Sequence, residues 1–73
     1  MPKNDQRLVK FGENVKYLRE KQSLTQNQVA QKCGFSSSYF KLVEAGQTNI
    51  SFLRLIKLSQ ILQVKPEVLI FDL

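Results

Sequence analysis

The side chains that most often perform catalysis are nearly missing from this chain. It has no histidine and one cysteine, Cys33. A Ser–His–Asp triad, a Cys/His zinc site within one chain and an intrachain disulfide are therefore all excluded. There is no glycine-rich phosphate loop and no metal-ligating cluster in the sequence. No catalytic residue, metal or cofactor is expected, and the chain does not read as an enzyme. Cys33 falls on an apolar helix face, where cysteine behaves as a small buried hydrophobe. What remains for chemistry is charge. Lysine and arginine total 11 against 6 aspartates and glutamates, a net charge of +5. From Lys21 to Lys65 the bases are Lys21, Lys32, Lys41, Arg54, Lys57 and Lys65, and Glu44 is the one acid. That excess calls for an anionic partner, nucleic acid first and a membrane surface second. No apolar run approaches the roughly 20 residues of a membrane span. No signal-peptide core follows Met1-Pro2-Lys3-Asn4-Asp5. The expected location is cytoplasmic, with no membrane partner.

The elements that carry these charges are helices. At 73 residues the chain is expected to form one domain, residues 1–73, near the lower size limit for folding alone. Leu8, Phe11, Val15 and Leu18 recur at helical spacing and predict a first helix from about Asp5, its cap, to Lys21. Gly12 inside it costs about 1 kcal/mol against alanine, with close packing as its one evident reason. Thr25 and Gln28 form a capping box, and Leu24 and Val29 a hydrophobic staple, for a second helix over Gln26 to Cys33. Gly34 ends it. Ser36 caps a third helix, with Phe35 and Phe40 as staple, running to about Glu44 or Ala45 before Gly46. Ser51 caps a fourth, with Ile50 and Leu55 as staple, running to about Leu62. Pro66 opens a short fifth helix, with Val64 and Leu69 as staple. No segment alternates with period two, so the predicted fold is all-α, a compact five-helix bundle.

The second and third helices, about residues 25–45, are joined by a turn of four residues: Cys33, Gly34, Phe35 and Ser36. So tight a turn forces the steep crossing of a helix-turn-helix. That crossing needs a small residue facing the next helix, a left-handed residue in the turn, and apolar side chains inside. Ala30, Gly34, and the set Val29, Cys33, Phe35, Phe40 and Val43 supply them. The run Thr25-Gln26-Asn27-Gln28-Val29-Ala30-Gln31-Lys32-Cys33-Gly34-Phe35-Ser36, then Tyr39 and Val43-Glu44-Ala45-Gly46, resembles the phage repressor and Cro type (XRE-like) of helix-turn-helix transcription regulator. Asn49-Ile50-Ser51-Phe52, leading into Leu55, Leu58, Ser59 and Leu62, is similar to the family's fourth helix. The resemblance covers about residues 8 to 70. More loosely, the size and the Asn-Ile-Ser stretch look like controller proteins of restriction–modification systems.

The resemblance implies that the third helix lies in the major groove of double-stranded DNA. Ser37, Ser38, Lys41 and Leu42 are then the expected base contacts. Serines discriminate bases weakly, and this helix has no Arg, Asn or Gln for bidentate readout, so DNA shape must contribute. Backbone contacts are implied for Gln26, Ser36, Tyr39, Gln47, Thr48 and Asn49. For Tyr39 the alternative is packing at the edge of the core. Arg19 and Glu44 occupy positions that the family often joins in a structural salt bridge.

The fourth helix and the tail carry more apolar residues than one core face needs. If Phe52, Leu55, Leu58 and Leu62 line the core, then Leu53, Ile56 and Ile61 are left over. Val68, Ile70, Phe71 and Leu73 add to them. Such a surplus over residues 51–71 reads as a homodimer interface. The expected function is that of a dimeric DNA-binding transcription regulator on a palindromic operator, a repressor or an activator that touches RNA polymerase, autoregulatory or a controller protein. The alternative is a protein-interaction module, such as an antitoxin, whose main partner is another protein.

Overall fold

In the computed structural model, which describes residues 5–71, five helices follow one another: α1 (Gln6–Lys21), α2 (Gln26–Cys33), α3 (Ser37–Glu44), α4 (Phe52–Ile61) and α5 (Pro66–Ile70). There is no strand among the described residues. Four starts are capped by side chains. Asp5, Thr25, Ser36 and Ser51 each accept a hydrogen bond from a backbone N–H of the following turn. Thr25 and Gln28 complete the reciprocal capping box. α5 begins with Pro66 in its first turn and no side-chain cap bond.

The core joins all five helices. Val15 and Leu18 of α1, Val29, Ala30 and Cys33 of α2, Phe40 of α3, Leu58 of α4, Leu62 just after it and Leu69 of α5 are buried together. Phe11, Leu24, Phe35, Ile50, Leu55, Ile61, Val64 and Val68 pack around them, half-buried. Phe52 departs from the expectation that it lines the core. It is 72% exposed. Its spacing from Leu55 is right, but it is the first residue of α4, and side chains lean toward a helix N-terminus. Its ring therefore overhangs the end of the packed body. Leu73 lies outside the described residues.

Gly12 has a tertiary explanation. A Cβ there would sit 2.8 Å from the Val43 carbonyl oxygen and closer still to that of Glu44. The bare backbone of α1 thus rests on the C-terminal end of α3. Gly46 is confined twice over: its φ is +72°, and a Cβ would lie 2.6 Å from the Val9 Cα.

Four helices end in the same way. After α1, α2, α3 and α4 one residue turns left-handed, and the residue after it donates its N–H back to a carbonyl five positions earlier. These bonds are Leu24 to Arg19, Phe35 to Ala30, Gln47 to Leu42 and Val64 to Ser59. This is the Schellman motif. Two of the left-handed positions are Gly34 and Gly46, but the other two are Ser23 (φ 59°) and Gln63 (φ 60°). An L-residue in that region costs roughly 1–2 kcal/mol, and glycine returns roughly half of this as unfolded-chain entropy. Gln63→Gly is therefore expected to stabilise the fold by about 0.5–1 kcal/mol. In a domain of this size that raises the thermal midpoint by a few degrees, since each kcal/mol is worth about 4–8 °C. Circular dichroism melts check it. An unchanged or lower midpoint would mean that the glutamine side chain stabilises the turn by more than its backbone costs.

Candidate nucleic-acid interface

The α2–α3 unit is rigid for local reasons. Ala30 of α2 is buried, and Gly34, at φ +77°, turns the chain between the two helices. Phe40, Val43 and Glu44 bury the inner face of α3. Its outer face is left open, with Ser37, Ser38, Lys41 and Leu42 all exposed.

The hydroxyls at the start of α3 have partners that define their remaining capacity. The Ser36 Oγ accepts from the Tyr39 N–H at 3.1 Å, which leaves its own O–H to donate. Ser37 donates to the Asn27 Oδ1 at 2.8 Å, which leaves its lone pairs to accept. Asn27, absent from the sequence-level site, thus fixes the rotor of Ser37. Its one sequence signal is its place in the first turn of the preceding helix.

Arg19 and Glu44 form a buried ion pair. The Arg19 Nη2 donates to Glu44 Oε1 at 3.1 Å and its Nε to Oε2 at 2.5 Å. The Arg19 Nη1 also donates to the Leu24 carbonyl at 2.8 Å, and hydrogen bonding to Glu44 raises the Arg19 pKa further above its ordinary value. Gln26 joins the same network, donating to Glu44 Oε1 at 3.0 Å. One carboxylate therefore ties α1 and α2 to the end of α3. Gln26 keeps one amide hydrogen and its carbonyl for an outside partner. Around this network Lys16 and Lys41 face an open cleft of about 400 Å3 lined also by Arg19, Gln26, Glu44 and Ala45. Both lysines are exposed, so the cleft presents positive charge between α1, α2 and α3.

On the other side of α3, Gln47 and Asn49 are exposed and Thr48 is half-buried. Tyr39 is half-buried. Its ring meets the edge of Phe35, centroids 5.4 Å apart and planes at 87°. Its hydroxyl donates toward the Asn49 carbonyl at 3.5 Å, the outer limit of a hydrogen bond. Cys33 is buried, and burial pushes its thiol pKa up. A buried thiol held protonated packs rather than reacts.

The helix-turn-helix family model HTH_3 matches residues 15–69. The chain belongs to the helix-turn-helix family. Solved structures agree with this helix-turn-helix assignment at the level of the whole fold. The restriction–modification controller protein C.AhdI from Aeromonas hydrophila is 37% identical, with a TM-score of 0.86, over 89% of this chain and 98% of that one. SinR, a master regulator for biofilm formation solved in complex with DNA, is 31% identical, with a TM-score of 0.79, over 84% and 98%. A hypothetical transcription factor from Neisseria, NHTF, is 25% identical, with a TM-score of 0.84, over 99% and 82%. No curated protein sequence is significantly similar. This helix-turn-helix protein is accordingly a DNA-binding regulator of the XRE type, with a controller protein among its structural relatives. No helix among its described residues is long and apolar enough to cross a membrane.

Proposed function

We propose that the protein regulates transcription as a homodimer on a palindromic operator in double-stranded DNA. α3 enters the major groove, with Ser37, Ser38, Lys41 and Leu42 toward the bases. Gln26, Ser36, Tyr39, Gln47, Thr48 and Asn49, around it, hold the backbone. The observation that carries this reading is the division of α3: its inner face is buried in the core while Ser37, Ser38, Lys41 and Leu42 on its outer face are exposed. Support for the partner comes from SinR, whose fold this chain shares and whose structure was solved on DNA. Occupancy of the operator represses by blocking RNA polymerase or activates by touching it. By analogy with C.AhdI, the regulated gene is its own or one of a restriction–modification system.

Size argues for two copies. The Cα framework measures 29 Å along its longest axis, whereas half-sites read from one face of DNA are about 34–36 Å apart. One protomer therefore reaches one half-site. The surface assigned to pairing is on α4 and α5. Leu53 is 77% exposed, and Ile70 and Phe71 are exposed with it, as is Phe52. Ile56, Ile61 and Val68 are half-buried, so they add margins to this surface rather than its centre. Leu53→Glu is expected to move the monomer–dimer equilibrium about 10–100-fold toward monomer, the worth of one large buried apolar side chain. Helical content should not change. Sedimentation equilibrium reads it, and an undisturbed dimer would place the interface elsewhere.

The function itself is tested by selecting bound sequences from random DNA at two salt concentrations. A two-fold symmetric site, with affinity falling steeply as added salt lowers the entropy gained by releasing counterions, is the expected result. Weak, sequence-blind binding that vanishes at physiological salt would leave the basic charge without an operator. The exposed apolar side chains would then serve a protein partner instead.

A further inference from the structure

Arg54, on the first turn of α4, holds its guanidinium over the face of Tyr39, with Cζ 4.8 Å from the ring centroid. The ring itself packs edge to face with Phe35, and its hydroxyl points toward the Asn49 carbonyl. Phe35 in turn packs against the core. Phe35, Tyr39 and Arg54 thus make a column that runs from the core to the surface and ends in a cation. Arg7 and Arg19 each face a carboxylate. Arg54 forms no ion pair with any described residue. Stacking occupies the flat face of a guanidinium and leaves its N–H edge open, the edge that matches a phosphate with two parallel bonds.

The surroundings suit an anion. Arg54 lines an open cleft of about 390 Å3 with Cys33, Gly34, Phe35, Ser36 and Tyr39, and no acidic residue lines it. Lys57 lies one turn further along α4, close enough for its charge to act on Cys33 in the same cleft. Ser36 places the cleft at the N-terminal end of α3.

We propose that Arg54, stacked on Tyr39, is a phosphate clamp that grips the DNA backbone beside the entry of α3 into the groove. The proposal rests on the operator reading above and adds to it a contact made from α4. It also gives Tyr39 a role: its ring aims the arginine. A reader built on serines gains most from such a clamp, because backbone contacts set the register in which weak base contacts operate. Stacking on Tyr39 limits the freedom of the side chain before DNA arrives, so the clamp closes at less entropic cost than a free arm would.

The test compares binding of the selected operator and of a scrambled duplex over a range of salt. Arg54→Gln should weaken both DNAs alike, by about tenfold, and lower the slope of log affinity against log salt by about one. The thermal midpoint should fall by no more than a few degrees, the worth of one exposed cation–π contact, since the Ser51 cap bond uses only the Arg54 backbone. The Arg54→Gln loss should persist beside Tyr39→Phe, which keeps the ring, and shrink beside Tyr39→Leu, which removes it. An unchanged slope in Arg54→Gln overturns the clamp, and so does an equal loss in the two Tyr39 backgrounds. If the unmodified protein binds operator steeply while Arg54→Gln matches it, the clamp alone fails. If the unmodified protein shows no salt-dependent binding, the operator reading fails and the clamp with it.

Discussion

Gly12→Ala will destabilise the fold by about 2 kcal/mol or more, although alanine is the better helix former. The propensity gain in a helix interior is about 1 kcal/mol. Against it stands a methyl group placed 2.8 Å from the Val43 oxygen and nearer to that of Glu44. Both obstacles are backbone, and both belong to the last turn of α3, which is itself held by Arg19 through Glu44. Overpacking against atoms that can move costs roughly 1–3 kcal/mol. Here the neighbours are fixed, so the cost lies at or above the top of that range. The thermal midpoint should fall by about 8–16 °C, at about 4–8 °C per kcal/mol. DNA affinity should fall in proportion to the population lost, and further if α3 is pushed outward. A midpoint equal to or above that of the unmodified protein would show that α1 and α3 are not in backbone contact.

Glu44→Ala should have a larger effect still. It leaves the Arg19 guanidinium, 10% exposed, with the Leu24 carbonyl as its remaining short hydrogen bond. It also takes away the acceptor of Gln26. Removing one partner of a buried pair typically costs about 3–5 kcal/mol. A core of this size supplies about that much in total, so the variant should be largely unfolded at low protein concentration. The pair's role is distinguishable from mere stabilisation by a double change. Arg19→Met with Glu44→Leu replaces both charges with apolar groups of similar length and should recover most of the lost stability, because no uncompensated charge remains. Chemical denaturation of the single and double variants measures this directly. A double variant no more stable than Glu44→Ala would mean that the site depends on its hydrogen bonds to Leu24 and Gln26, not on charge balance.

The contrast between these two positions shows what a sequence carries. Glu44 sits in a recognisable pattern, and the bond to Arg19 spans 25 positions that the resemblance already related. Gly12 has no such pattern. Its requirement comes from α3, and without the packed pair it reads as a small penalty in a helix. Helix starts were legible because a cap is a local event: Asp5, Thr25, Ser36 and Ser51 each satisfy an N–H two or three residues away. Two of the helix ends were legible for the same reason, since Gly34 and Gly46 advertise positive φ. Ser23 and Gln63 adopt the same conformation without advertising it. The trace they leave is the apolar residue that follows each, Leu24 and Val64, which anchors the turn to the core. Phe52 was misplaced because periodicity describes a face and not where the packed body ends. Asn27 and Arg54 were invisible as site residues because their partners, Ser37 and Tyr39, stand 10 and 15 positions away on other helices, joined by the tertiary fold alone.

Asn14 has a consequence of another kind. Its buried carboxamide reaches from α1 to the far end of the chain and donates to the carbonyls of Leu69 and Phe71, at 3.1 and 3.3 Å. A helix of five residues with no cap of its own holds its direction through tertiary contacts, and besides buried Leu69 those contacts include the two bonds from residue 14. The side chains of Ile70 and Phe71 inherit that direction. In evolutionary terms the identity of the proposed pairing surface and part of its aim are then separate characters, encoded at opposite ends of one chain. If that surface pairs two copies, a change at residue 14 would alter the pairing without touching any residue of the surface.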